Sequence, residues 1–153
     1  PLEGRRGAGP GLASFRWPAP EGYTAFAQKN VMCVIIIEEA RALEKIEEIA
    51  QTPGIDVLFI GTNDMAWSLG LKGDMSHPKA KEAYAKVLAA GKKYGVPVGR
   101  PAGTPEQIQE YVKEGYLFIQ GSSEMNFMAA GARPLLQVLG KSGIDPKTRP
   151  LYD

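Results

Sequence analysis

Four short apolar runs punctuate this chain, and helical spacing follows each of them. Residues 31–37 (VMCVIII) are continuously apolar and mostly β-branched. Such runs form strands buried on both faces, as in parallel sheets covered by helices. Glu38 ends the run. Residues 39–50 then place Ala42, Leu43, Ile46, Ile49 and Ala50 on one stripe, which predicts a helix stopped at Pro53–Gly54. Residues 55–60 (IDVLFI) predict a second strand, closed by Gly61-Thr62-Asn63-Asp64 and followed by a short helix over MAWSLG. An amphipathic helix spans about 78–94, with Ala80, Ala83, Tyr84, Val87, Leu88, Gly91 and Tyr94 on its apolar side. Residues 96–100 (VPVGR) read as a third, weaker strand. Thr104-Pro105-Glu106-Gln107 has capping-box spacing with Pro at the first helical position. That helix runs to Glu114, where Gly115 suits the C-terminal cap. Residues 116–120 (YLFIQ) predict a fourth strand, and a last helix covers about 123–139. Ahead of all this, residues 1–22 read as a structured loop anchored by Leu12, Phe15 and Trp17, with a helix over about 21–29. Residues 140–153 read as a tail.

Alternating βα units imply a parallel sheet with right-handed crossovers. That leaves an open doubly wound sheet or part of a (βα)8 barrel. A complete barrel needs about 250 residues, and this chain has 153. Four units would be half of one.

Composition narrows the chemistry. Lys plus Arg is 18 and Asp plus Glu is 17, a net charge of +1, so no basic excess argues for nucleic acid. No apolar run approaches the roughly 20 residues that span a bilayer. Cys33 is the one cysteine and His77 the one histidine. That excludes a disulfide framework and a multi-cysteine zinc site, and leaves one possible base for a Ser–His or Cys–His couple. The chain opens on Pro1 without a signal-peptide pattern, and a cytoplasmic location is the expectation.

In α/β folds ligands bind at the carboxyl ends of the strands. The residues there are Glu38, Gly61–Asp64, Arg100–Gly103 and Gly121-Ser122-Ser123. Glu38 and Asp64 end consecutive strands, and neighbouring strands lie about 4.8 Å apart. Two hard carboxylates plus waters suit an octahedral divalent ion such as Mg²⁺ or Mn²⁺. Their bland alternative is helix capping, with Asp64 as an N-cap and Glu38 facing a helix dipole. Glu39 competes as a ligand but should point outward. The turns Gly61–Asp64 and Gly121–Ser123 could each cradle an anion on backbone N–H groups. His77 reads as structural, Cys33 as an inert core thiol, Arg5 and Arg6 as solvated, and Trp17 and Trp67 as packing residues.

The segment MCVIIIEEARALEKIEEIAQTPGIDVLFIGTNDMAWSLG resembles the core signature of the HpcH/HpaI aldolase (2-oxo-acid aldolase, citrate lyase-like) superfamily. PLEGRRGAG, GLKGDMSHPKAKEAY and EGYLFIQGSSE resemble further family segments in the same order, so the likeness covers about residues 1–139. The resemblance implies a TIM barrel, of which this chain carries about the last four βα units, and a homo-oligomer that packs or exchanges the last helix. It matches Glu38 and Asp64 to two metal-ligand carboxylates, for Mg²⁺ first, with Mn²⁺ or Co²⁺ as alternatives. It matches the backbone at Gly61, Asn63 and Asp64 to the turn that holds the pyruvate carboxylate. The implied activity is carbon–carbon cleavage, condensation or decarboxylation of a 2-oxo acid such as pyruvate or oxaloacetate through an enolate. Fungal macrophomate synthase is one such relative. Two departures stand out: Ile36 replaces a family Gln, and Thr62-Asn63 replaces a Pro-x pair. The family's general-base His and oxo-binding Arg belong to the first strands, so the base is expected upstream of Pro1, and His77 matches a structural family His.

The leading expectation is therefore a metal-dependent 2-oxo-acid lyase. A non-catalytic or partner-dependent half-barrel is the alternative, because exposed strand edges demand a partner. An open-sheet nucleotide-binding module ranks below both, since no GxGxxG or GxxxxGK[ST] follows a strand.

Overall fold

Strands β1 (Val34–Ile37), β2 (Val57–Ile60), β3 (Val98–Pro101) and β4 (Phe118–Gln120) lie side by side in chain order. Every neighbouring pair is parallel, with Ile37 beside Ile60, Leu58 beside Val98 and Gly99 beside Phe118. These positions come from a computed structural model that describes residues 11–16 and 19–138. Helices fill the crossovers. A 3-10 turn (Ala40–Lys45) and α3 (Ile46–Ala50) follow β1. Helices α4 (Thr62–Ser68) and α5 (Pro78–Tyr94) follow β2, α6 (Pro105–Glu114) follows β3, and α7 (Glu124–Val138) follows β4. Two helices precede the sheet, α1 (Gly11–Arg16) and α2 (Tyr23–Asn30).

The caps of α6 are those the sequence predicts, and α5 is built in the same way. Pro78 and Pro105 open α5 and α6 at positions that need no N–H donor. The Thr104 hydroxyl accepts from the Gln107 N–H at 3.3 Å. Gly95 and Gly115 end the two helices with φ of 72° and 103°, a left-handed conformation that glycine adopts without a Cβ penalty.

Strand alternation sorts the sheet into two faces. On one, Ile37, Leu58, Ile60 and Val98 meet Ile46, Ala50, Met65, Ala80 and Val87 in a continuous core. On the other, Ile36, Phe59, Gly99 and Phe118 form a row across all four strands. Phe59 and Phe118 pack edge to face there, 6.0 Å apart. Within that row Ile36 is 56% exposed, while Phe59 and Phe118 are half-buried. The expectation that 31–37 is a strand buried on both faces is therefore corrected: β1 is four residues long and exposed at Ile36.

Three further expectations change. Leu12 and Phe15 are 87% and 88% exposed on α1, so they anchor nothing among the described residues, and 11–16 is helix, not loop. Cys33 is exposed, ahead of β1, where its N–H donates to the Asp56 carboxylate at 2.6 Å. The stretch expected as one helix over 39–50 begins as a 3-10 turn. Pro1–Pro10 (with Arg5 and Arg6), Trp17 and the tail 140–153 lie outside the described residues.

Candidate functional site

The carboxyl ends of β1 and β2 form the centre of the site. The Gly61 N–H donates to the Ile37 carbonyl at 3.1 Å, which sets Gly61 beside Glu38. The Glu38 side chain then lies directly over Gly61: a Cβ placed there would stand 2.8 Å from Glu38 Cβ and 3.0 Å from its Oε2. Glycine is what permits that approach. Asp64 sits three residues on, in the first turn of α4. Both carboxylates are exposed.

Asp64 is not an N-cap, although it and Glu38 both stand near the positive end of α4. Gly61, not Asp64, is the N-cap of α4, and no side chain caps it. The turn after β1 is secured by Ser68, whose hydroxyl accepts from the Ala40 N–H at 2.9 Å, while Glu38 rests on Gly61 instead. Glu39 is exposed and paired with Arg41, as its outward orientation predicts. Among the described residues no group of three or more His, Cys, Asp or Glu side chains could hold a metal ion. Glu38 against Gly61 and Asp64 in the first turn of α4 each present an exposed carboxylate on this side of the sheet. That fits a hard divalent cation, which keeps several waters and takes one or two carboxylates.

The turn itself is held from behind. The Met65 N–H donates to the Gly61 carbonyl at 2.9 Å, closing the first turn of α4. The three preceding amides lie at the open end of the helix. Thr62 is buried, its hydroxyl 3.4 Å from the Met75 sulfur, and its carbonyl accepts from the Tyr84 hydroxyl at 3.0 Å. Asn63 turns its amide oxygen toward Gly73.

Arg100 is not where the sequence places it. The sequence ends the third strand at Arg100 and groups it with Pro101, Ala102 and Gly103 at the rim. The residue lies within β3 and points into the helical layer. Its guanidinium carbon stands 5.0 Å from the Tyr84 ring centre, 3.9 Å from Tyr111 and 5.3 Å from Tyr116. Together they floor a cavity of about 1120 Å³ between α5 and α6. Burial pushes the Tyr84 and Tyr116 hydroxyls up, with the Arg100 cation pulling against it. Sequence analysis overlooked this tyrosine cluster. The signal was Val98: a residue two positions on along a strand shares its face.

The remaining candidates resolve simply. His77 caps α5, its Nδ1 accepting from the Lys79 N–H at 3.1 Å, a structural role as expected. In the Gly121–Ser123 turn, the Ser123 hydroxyl accepts from the Asn126 N–H at 3.4 Å. Trp67 is exposed and packs over Gly73.

One consequence is direct. In Gly61→Ala the new methyl displaces Glu38. Mn²⁺ affinity, read by water-proton relaxation, should fall about tenfold or more, the range found when a metal ligand loses its support. Unchanged affinity would separate Glu38 from the metal site.

Comparison with known proteins follows this geometry. The family model for HpcH/HpaI aldolase/citrate lyase matches residues 3–130. The chain is 35% identical over 139 residues to a 2-dehydro-3,6-dideoxy-6-sulfogluconate aldolase of Pseudomonas putida, covering 91% of this chain and 54% of that protein. It is 32% identical to a hydroxypyruvate/pyruvate aldolase of Paraburkholderia phytofirmans, covering 89% and 52%. Among solved structures, an HpcH/HpaI aldolase/citrate lyase family protein from Burkholderia cenocepacia superposes with a TM-score of 0.74 at 36% identity, covering 88% and 52%. The chain spans about half the length of the curated relatives it matches.

Proposed function

Because this chain belongs to the HpcH/HpaI aldolase/citrate lyase family, we propose that it carries the metal-holding part of a 2-oxo-acid lyase. Its four parallel strands are part of a (βα)8 barrel. The reaction makes or breaks a carbon–carbon bond beside the 2-oxo group, by aldol chemistry or decarboxylation. One observation carries the reading: the Glu38 carboxylate lies on Gly61, at the mouth of the turn that bears Asp64. The aldolase names of the two curated relatives support the substrate class.

Glu38 and Asp64 would hold the cation, Mg²⁺ before Mn²⁺ or Co²⁺. A bound divalent cation supplies positive charge where negative charge grows on the 2-oxo oxygen. The backbone at Gly61, Asn63 and Asp64 binds the carboxylate of pyruvate or oxaloacetate, at the positive end of α4. No proton transfer is assigned to this chain, because its one histidine is committed to capping α5.

A partner-dependent half-barrel is the companion reading, and the exposed Ile36 beside the half-buried Phe59 and Phe118 favours it. In that reading a second body of protein closes over the apolar face. Homo-oligomerisation through α7, which has no buried residue, belongs to the same proposal.

The test is exchange of the pyruvate methyl protons with D₂O, followed by NMR in protein that carries this chain. Exchange should need Mg²⁺, stop after EDTA treatment and return when Mg²⁺ is restored. Exchange that persists in EDTA overturns metal dependence. The 153-residue chain alone should exchange far more slowly than protein in which the apolar face is covered.

A further inference from the structure

We propose that Tyr84 is a positioning residue for the substrate turn: its hydroxyl holds the Thr62 carbonyl and thereby aims the Asn63 N–H at the substrate carboxylate. This role rests on the reading of Gly61–Asp64 as the carboxylate-binding turn. Tyr84 is 3% exposed and reaches across from the middle of α5. Its 3.0 Å bond to Thr62 is buried and joins residues 22 apart in sequence. A trans peptide is planar, so the Thr62 carbonyl and the Asn63 N–H point in opposite directions. A carbonyl tied toward α5 therefore leaves that N–H facing away from α5, at the open end of α4.

The tyrosine is itself held. The Arg100 guanidinium wedges against its ring and against Tyr111 and Tyr116. The Arg100 Nε is buried with no hydrogen-bond partner among the described residues, and its guanidinium stacks on the three rings. Burial pushes the Tyr84 hydroxyl up and Arg100 opposes it. The net direction is upward from an ordinary value of about 10, so the hydroxyl stays a donor through the neutral range.

Tyr111 supplies the control. Its ring meets the same guanidinium more closely, but it makes no hydrogen bond to the turn. Tyr84→Phe removes the clamp and keeps the ring, whereas Tyr111→Phe perturbs the same cluster and leaves the clamp.

Two measurements decide the matter. The first is amide exchange of Met65 in the ¹⁵N-labelled chain, because the Met65 N–H closes the turn on Gly61. Tyr84→Phe should speed that exchange about fivefold, the equivalent of one ordinary hydrogen bond, and Tyr111→Phe should not. The second is pyruvate turnover in protein that carries the chain, with Mg²⁺ saturating. Tyr84→Phe should raise KM for pyruvate about fivefold on the same grounds, with kcat and Mn²⁺ affinity unchanged. Tyr111→Phe should leave KM alone. Met65 exchange that ignores Tyr84→Phe overturns the clamp. An equal rise in KM for both variants reduces Tyr84 to packing and overturns its positioning role. If wild-type protein binds no pyruvate while Met65 still responds to Tyr84→Phe, the turn is not the substrate site, and Tyr84 makes a structural bond only.

Discussion

Asp64→Ala should abolish divalent-cation binding and, with it, Mg²⁺-dependent exchange of pyruvate protons. The proposed site rests on two carboxylates, Glu38 and Asp64, with no group of three or more His, Cys, Asp or Glu among the described residues. Removing one takes away half of the protein's charge on the cation. Loss of a group that merely supports a ligand weakens affinity about 10- to 100-fold, so loss of a direct ligand should weaken it about 100-fold or more. Asp64 is exposed at the first turn of α4 and makes no hydrogen bond among the described residues. The fold should therefore survive, and the thermal midpoint should barely move. Titration with Mn²⁺, followed by water-proton relaxation, reads the affinity directly. An Asp64→Ala variant that binds Mn²⁺ like the wild type would remove the metal from this pair. Glu38→Gln should behave in the same way, since the amide keeps the shape over Gly61 and loses the charge.

The second large effect is on stability. A methyl group at Gly99 would collide with the Phe118 carbonyl oxygen on β4 and stand 2.8 Å from Phe118 Cβ. A side chain can rotate away, but a backbone carbonyl paired in a sheet cannot. Gly99→Ala must part β3 from β4, and the register of Gly99 beside Phe118 cannot survive unchanged. The expected loss is about 3 kcal/mol, the upper range for overpacking. That is a large share of a typical domain stability of about 5–15 kcal/mol. Gly121→Ala is the control, because a methyl there meets nothing within 4 Å. Urea unfolding of both variants makes the comparison. If Gly99→Ala matched Gly121→Ala within about 0.5 kcal/mol, the β3–β4 approach would be wrong.

These two outcomes draw on different sources. The strand end at Glu38 was legible in the sequence, because an apolar run that stops at an acid marks a strand end whatever the strand later packs against, whereas Asp64 falls beyond β2, in the first turn of α4. The caps were equally legible: Thr104 and Gly115 act through bonds to residues three to five positions away. The parallel βα alternation was legible as well, whereas the strand spacing alone left a doubly wound sheet and part of a barrel both open, and the order β1-β2-β3-β4 came from the structure. The errors share a cause. VMCVIII reads as doubly buried, yet Ile36 is exposed and Cys33 lies outside the strand. Apolar composition reports what a residue needs, not whether this stretch of chain supplies it. Leu12 and Phe15 misled for the same reason.

The Tyr84–Thr62 bond and the Arg100 wedge belong to another category. They join residues on α5, α4, β3 and α6 that share no spacing rule. Local pattern alone determined that this chain alternates strand and helix four times, where each element stops, and which acids stand at the strand ends, because periodicity and capping act within a few residues. Only the tertiary structure decided that Glu38 leans on Gly61, that Arg100 faces the helices, and which tyrosine grips the turn. Those contacts depend on how neighbouring strands register and how helices settle across them, distances that no short window of sequence encodes.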